Sequence, residues 1–226
     1  MSQTVEMHII ARIRSDFPTK FGIPRQSGLA DVPARIVFEP EYRNADALRG
    51  IEGFSHLWLI WQFSAAVREG WSPTVRPPKL GGNKRIGVFA TRSPFRPNEI
   101  GLSSVRLDRV ELNTPDGPVL HISGADLMDG TPIFDIKPYL AYTDSHPEAR
   151  GGFALTTDAV RVKCPAQLLE KLPQERRQTL LNVLAQDPRP GYQHEPGRVY
   201  GFPFAGFEVK FTVEGDLLTV RQIESR

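Results

Sequence analysis

The stretch Leu102–Gly124, LSSVRLDRVELNTPDGPVLHISG, decides the fold. Leu102–Leu112 alternates apolar and polar residues at the period of a strand with one buried face. Asp116-Gly117 then makes a tight turn, because glycine tolerates the positive φ such a turn demands, and Val119–Gly124 resumes an apolar run. Working outward, Arg85–Thr91 (RIGVFAT) reads as the preceding strand, and Asp126–Tyr142 as a turn followed by a short strand. Phe54–Phe63 (FSHLWLIWQF) is the most apolar run in the chain and reads as a central strand buried on both faces. Met7–Arg14 and Ala34–Phe38 are the first two strands, with a loop at Phe21–Leu29 between them, and Tyr42–Leu48 fits one or two helical turns. Strands joined by hairpin-length connections, with no crossover helix between them, predict a mainly β chain built as an antiparallel barrel or sandwich.

After Ala141 the character changes. Thr143–Gly152 (TDSHPEARGG) is polar and turn-forming, which sets the expected boundary between a domain at 1–148 and a second at 149–226. In the tail, Ala159–Lys163 reads as a strand, Pro165 as a helix start, and Gln174–Ala185 as a helix stopped by Asp187-Pro188. Val199–Phe202, Phe207–Val213 and Leu217–Ile223 read as three strands, so the tail is expected to be a small α+β domain.

With 226 residues, 40% of them hydrophobic, the chain can bury one good core and a second small one. The single cysteine, Cys164, excludes an internal disulfide framework and any cysteine-based zinc cluster. The histidines are scattered without ligand spacing, so no metal site is expected. No signal-peptide pattern and no apolar run of about eighteen residues occurs, so the expected location is cytoplasmic. The fingerprints of a Rossmann nucleotide site, a P-loop and an α/β-hydrolase are all missing.

Charge is unevenly distributed. The net formal charge is +2, yet Gly70–Asn98 carries Arg76, Lys79, Lys84, Arg85, Arg92 and Arg96 without Asp or Glu, leaving −4 (+2 minus +6) for the remainder. Prolines 73, 77, 78, 94 and 97 stiffen the same segment. Arg92 and Arg96 on a proline-locked loop suit a carboxylate or phosphate, against the alternative of a plain solvated loop. Pro24-Arg25-Gln26 places a forked donor and an amide on a restrained backbone, as a binding loop or an ordinary surface loop would. Asp129-Gly130-Thr131-Pro132 could offer amides and side chains to an adenine edge or ribose hydroxyl, although on spacing alone a plain β-turn is the favoured reading. His56 reads as a core histidine held by a backbone group in preference to a catalytic base.

In their order and spacing, Ile23–Gln26, Gly53–Trp58, Arg76–Asn83, Gly87–Gly101, Asp129–Tyr139 and Ala185–Pro190 resemble the TrmO (TsaA-like) family of tRNA methyltransferases. The resemblance spans most of the chain. It implies an antiparallel β-barrel that binds S-adenosyl-L-methionine outside any Rossmann sheet, acts as a homodimer, and methylates N6 of threonylcarbamoyladenosine next to the anticodon of threonine tRNA. It also implies that Pro24, Arg25, Gln26, Ser64, Ala65, Arg92, Leu102, Asp129, Gly130, Thr131 and Pro132 surround the cofactor.

The substrate chemistry adds a requirement. A ureido nitrogen conjugated to a purine must lose its proton before or during attack, so a base is needed; Asp135 and Asp129 are the candidates, with Tyr139 and Asn98 as polar helpers. Lys137 or Arg96 is a natural partner for the threonyl carboxylate. Arg76, Lys79, Lys84 and Arg85 would meet phosphates of the anticodon stem-loop, with the Arg189 and Arg198 region as a second contact. Two other readings use the same features: a non-catalytic RNA-binding barrel, and a small-molecule methyltransferase using the same cofactor.

Overall fold

A computed structural model describes residues 4–77, 80, 83–154, 159–189, 195 and 197–226. Its first part runs β1 (Ala11–Arg14), β2 (Pro33–Phe38), β3 (His56–Gln62), β4 (Thr74–Val75), β5 (Ile86–Gly87), β6 (Ile100–Glu111), β7 (Val119–Ser123) and β8 (Pro132–Pro138). The strands β1, β2, β7, β6, β3 and β8 hydrogen-bond in that order into a closed barrel, antiparallel at every seam, while β4 and β5 pair separately. Closure leaves these strands no free edge and forces residues alternately inward and outward. Ile13, Ile36, Leu57, Leu59, Trp61, Val105, Leu120, Ile122 and Ile133 fill the interior.

The β6–β7 hairpin forms as its pattern predicts. Gly117 adopts φ +78°, and its amide and carbonyl are both tied to Thr114. The register slips between Leu107 and Arg109, a bulge that bends the long strand around the barrel. Two neighbouring expectations change. The β3 strand is not buried on both faces: it alternates, with Leu57, Leu59 and Trp61 inside and Trp58 and Ile60 partly exposed, because a barrel wall has one dry side. Arg85–Thr91 is not one strand, since only Ile86–Gly87 pairs, with β4, before a 3-10 turn at Val88–Ala90.

Beyond the barrel come α1 (Ala141–Asp144), β9 (Arg161–Lys163), α2 (Ala166–Leu169), α3 (Gln174–Ala185), β10 (Tyr200–Phe204), β11 (Phe207–Glu214) and β12 (Leu217–Ser225). The tail sheet has the order β10-β11-β12-β9, with β9 running parallel to β12. Leu180, Val183 and Leu184 of α3 meet Phe202, Phe204, Val209, Phe211 and Leu218 of this sheet in a second core. Phe17, Ala30 and Val32, from the connection between β1 and β2, also belong to that core. The chain is thus mainly β, a barrel followed by a small α+β domain. Among the described residues, no helix is long and apolar enough to cross a membrane.

Gly101 in β6 lies under the Trp61 indole, and an added Cβ would sit 2.3 Å from that ring. Gly101→Ala is therefore expected to destabilise the fold by about 1–3 kcal/mol in denaturant unfolding. Gly53→Ala, where an added Cβ meets nothing within 4 Å, should stay within about 0.5 kcal/mol of the parent.

Candidate functional site

A polar chain interrupts the apolar interior where β3 ends and β6 begins. The Trp61 indole N–H donates to Ser103 Oγ at 2.9 Å, and the Ser103 hydroxyl donates to Asp126 Oδ1 at 2.6 Å. The Ser27 amide and the Arg92 guanidinium stand close enough to act on this carboxylate and favour its charged form. Arg92 in turn donates to Gln26 Oε1. Burial pushes the Asp126 carboxyl above its ordinary range, against the opposing pull of Ser103, the amides and Arg92. A guanidinium, a side-chain amide and a withdrawn carboxylate therefore share one mouth of the barrel. Asp126 is the residue that sequence reasoning missed. Its only signal was a charged residue inside the apolar run Ala125–Met128, which reads as part of a turn.

The Asp129–Pro132 turn is anchored on the neighbouring seam. Asp129 Oδ1 accepts from the Ser15 amide at 3.0 Å, and the Asp129 amide donates to Phe17 O at 2.8 Å. Gly130, at φ +76°, donates its amide to Ile13 O, and its carbonyl accepts from Arg12 at 3.2 Å. Asp129 also lines a cleft of ≈ 540 Å³ with Arg14, Asp16, Arg35, His121 and Arg176. Among the described residues no hydrogen bond or ion pair joins Arg92 to Asp129; two residues, Leu127 and Met128, separate Asp126, beside Arg92, from Asp129.

Other named residues lie on the outer face of the β6-β3-β8 wall. Leu102 sits opposite Ile60, which in turn sits opposite Asp135. Asp135 Oδ2 pairs with Lys137 Nζ at 2.7 Å, and Tyr139 packs on Trp58 with ring centroids 5.4 Å apart. Leu102 is 58% exposed, an unusual state for a leucine within a strand. Ser64 and Ala65 form the turn after β3, where the Ala65 carbonyl accepts from Lys20 at 3.0 Å. Asn98 is exposed.

The basic residues differ in what they have free. Arg76 and Lys84 are exposed, Arg85 donates to Thr74 Oγ1 at 3.0 Å, and Lys79 lies outside the described residues. Arg96 turns back on its own loop and donates to the Thr91 carbonyl at 2.7 Å. Pro24 is buried, and Arg25 reaches to the tail, donating to the carbonyls of Asp187 and Arg189 at 2.9 and 3.0 Å. Two readings need correction. Arg189 is not offered outward as an RNA contact, because its side chain is only 10% exposed and grips Asp187 through two hydrogen bonds. His56 is not a core histidine: it is exposed, with Nδ1 3.0 Å from Ser55 Oγ, because it is an outward residue at the start of β3. Among the described residues, no group of three or more His, Cys, Asp or Glu is arranged to hold a metal ion.

Comparison with known proteins adds an independent finding. Residues 12–145 match the tRNA-methyltransferase O N-terminal domain, and residues 157–226 match the TrmO C-terminal domain. The chain is 42% identical to the tRNA (adenine(37)-N6)-methyltransferase of Escherichia coli K12, over 96% of this chain and 97% of that relative. It is 44% identical to a putative S-adenosylmethionine-dependent methyltransferase, RcsF, of Pseudomonas aeruginosa, over 85% of each chain. A crystal structure of TrmO from Pseudomonas aeruginosa aligns with a TM-score of 0.79 at 36% identity, covering 100% of this chain and 99% of that one.

The buried carboxylate carries a signature in pH. A folded-state pKa above the ordinary 3.8 means that the native state holds this proton more tightly than the unfolded chain. Its contribution is therefore fully present at low pH and is lost as pH rises from that ordinary value through the raised one. Asp126→Asn should remove this falling limb, so that in urea titrations the variant's stability gains on the parent's as pH rises through this window.

Proposed function

This chain belongs to the tRNA-methyltransferase O family, and from that membership we propose that it methylates N6 of adenine 37 in tRNA with S-adenosyl-L-methionine as donor. The finer substrate we assign is threonylcarbamoyladenosine of threonine tRNA, and the compartment is the cytoplasm.

The observation that carries the reading is the cluster of Arg92, Gln26 and withdrawn Asp126 at the barrel mouth. A guanidinium beside a buried carboxylate suits a ligand that carries both signs of charge, as an amino-acid sulfonium with a free carboxylate does. S-adenosyl-L-methionine, when bound, supplies an electrophilic methyl group, so the protein's task is alignment and exclusion of water. Arg92 and Gln26 present donors, Asp126 an acceptor, and the Asp129–Pro132 turn its backbone amides and carbonyls. Pro24, Ser64, Ala65 and Leu102 supply walls, and Arg25 holds the loop from behind.

Asp135 is the base we assign to the ureido nitrogen, with Asp129 as the alternative and Tyr139 and Asn98 as polar helpers. Lys137, already beside Asp135, would meet the threonyl carboxylate together with Arg96. Arg76, Lys79, Lys84 and Arg85 would take anticodon stem-loop phosphates, contacts that position RNA without reading its bases. A homodimer accords with exposed apolar side chains on the same part of the chain, where the Trp71 and Phe89 rings lie tilted, 6.1 Å apart, in the open.

Three outcomes test the proposal. Calorimetric titration of S-adenosyl-L-methionine should give a binding isotherm with the parent and none with Arg92→Ala; equal affinity in that variant would remove the arginine from the site. Asp135→Asn should lower kcat by about a hundredfold or more while leaving cofactor affinity unchanged. In nucleoside mass spectrometry, tRNA from a strain lacking this gene should lose the N6-methylated nucleoside and regain it on complementation.

A further inference from the structure

The connection between β1 and β2 is long, irregular and carries Pro24–Gln26, yet its hydrophobic residues face the tail and not the barrel. Phe17, Ala30 and Val32 are buried in the tail core, with Phe21 and Ile23 packed against it. The Phe17 and Phe204 rings lie 5.5 Å apart, and Phe21 meets Phe202 edge-on at 6.1 Å. Gly22, at φ +94°, lies so close to Phe202 that an added Cβ would sit 2.2 Å from its ring. At its centre Arg25 is held by the Asp187 and Arg189 carbonyls. That receiving turn is itself braced: Asp187 takes φ +47° and accepts from Arg189 Nε and Nη2, both at 2.8 Å. The next residue, Gln26, is the partner of Arg92.

We propose that the C-terminal domain is the mould for the 17–32 loop, and that Arg25, Asp187 and Arg189 are positioning residues that set Gln26 and Arg92 for cofactor binding. The second half of this statement rests on the function proposed above. The physical reason is that a loop of this length has no hydrogen-bonded ladder of its own and orders only by burying its apolar residues on another surface. Two charge-assisted hydrogen bonds from one guanidinium then convert that packing into a definite place for the next side chain.

Full-length Arg25→Ala, Asp187→Ala and Asp187→Asn are to be compared with the parent by two readouts. The first is amide hydrogen exchange over residues 21–32 without cofactor, expected to speed up in both alanine variants and less in Asp187→Asn. The second is affinity for S-adenosyl-L-methionine, expected to weaken by about tenfold or more in either alanine variant, with kcat at saturating cofactor retained. The double alanine variant should bind no worse than the weaker single one. Unchanged loop exchange, additive losses, or a fall in kcat with affinity intact would each overturn the inference. A parent that binds no cofactor while the variants still exchange faster would overturn the proposed function and leave the mould standing.

Discussion

The short pairing of β1 with β8, Ala11 to Ile133 and Arg12 to Pro132, is what turns a curved sheet into a barrel. Without it both strands would present open edges, and the inward side chains of β8 and β1 would lose their enclosure. The seam also does more than close the wall. Arg12 lies on it, donating to Glu39 at 2.8 Å and to the Gly130 carbonyl at 3.2 Å, while the Gly130 amide donates to Ile13. The Asp129–Pro132 turn is therefore an extension of the seam, and its backbone groups are held as firmly as the barrel is shut.

Within the barrel the chain of Trp61, Ser103 and Asp126 is a polar thread among the apolar core residues around it. Burying a carboxylate is unfavourable unless its lone pairs are satisfied, and a partly satisfied network would be worse than an apolar one. Here hydroxyl, amide and guanidinium groups converge on it from β6, the 17–32 loop and the Arg92 loop. The same contacts that offset its burial also tie three chain segments together, which is how a structural requirement becomes a preorganised site. The Asp135–Lys137 pair on the outer wall differs in kind: it is solvent-exposed, adds at most about 1 kcal/mol to stability, and is free to exchange partners.

The two cores meet in the 17–32 loop. It leaves and rejoins the barrel through β1 and β2, is held there by Gly28 donating to Gly124 at 2.9 Å, and buries its aromatic residues against α3 and β10. Asp16 extends this joint, pairing with Arg176 at 3.0 Å, while the Ala205 amide donates to its carbonyl. The barrel mouth is thus shaped by both halves of the chain.

Much of this was legible in the residues alone, for a local reason. The β6–β7 hairpin, α3 and the closing strands of the tail follow from alternation, helical period and turn glycine, which depend on neighbours a few positions away. The long motifs around Arg25, Arg92 and Asp129 likewise point to the TrmO family. What sequence could not convey was which long-range partner each polar group meets. Local pattern cannot tell that Ser103 faces Asp126, that Arg25 spends its guanidinium on carbonyls 162 and 164 positions away, or that Arg189 is locked inward. It also misjudged Arg85–Thr91 and His56, whose states depend on whether another strand lies alongside and which side of the wall is wet. The sequence by itself determined strands, turns and the placing of charge along the chain; only barrel closure and the packing of the tail on the 17–32 loop decided which of those charges converge, because convergence is a property of three-dimensional neighbours and not of spacing.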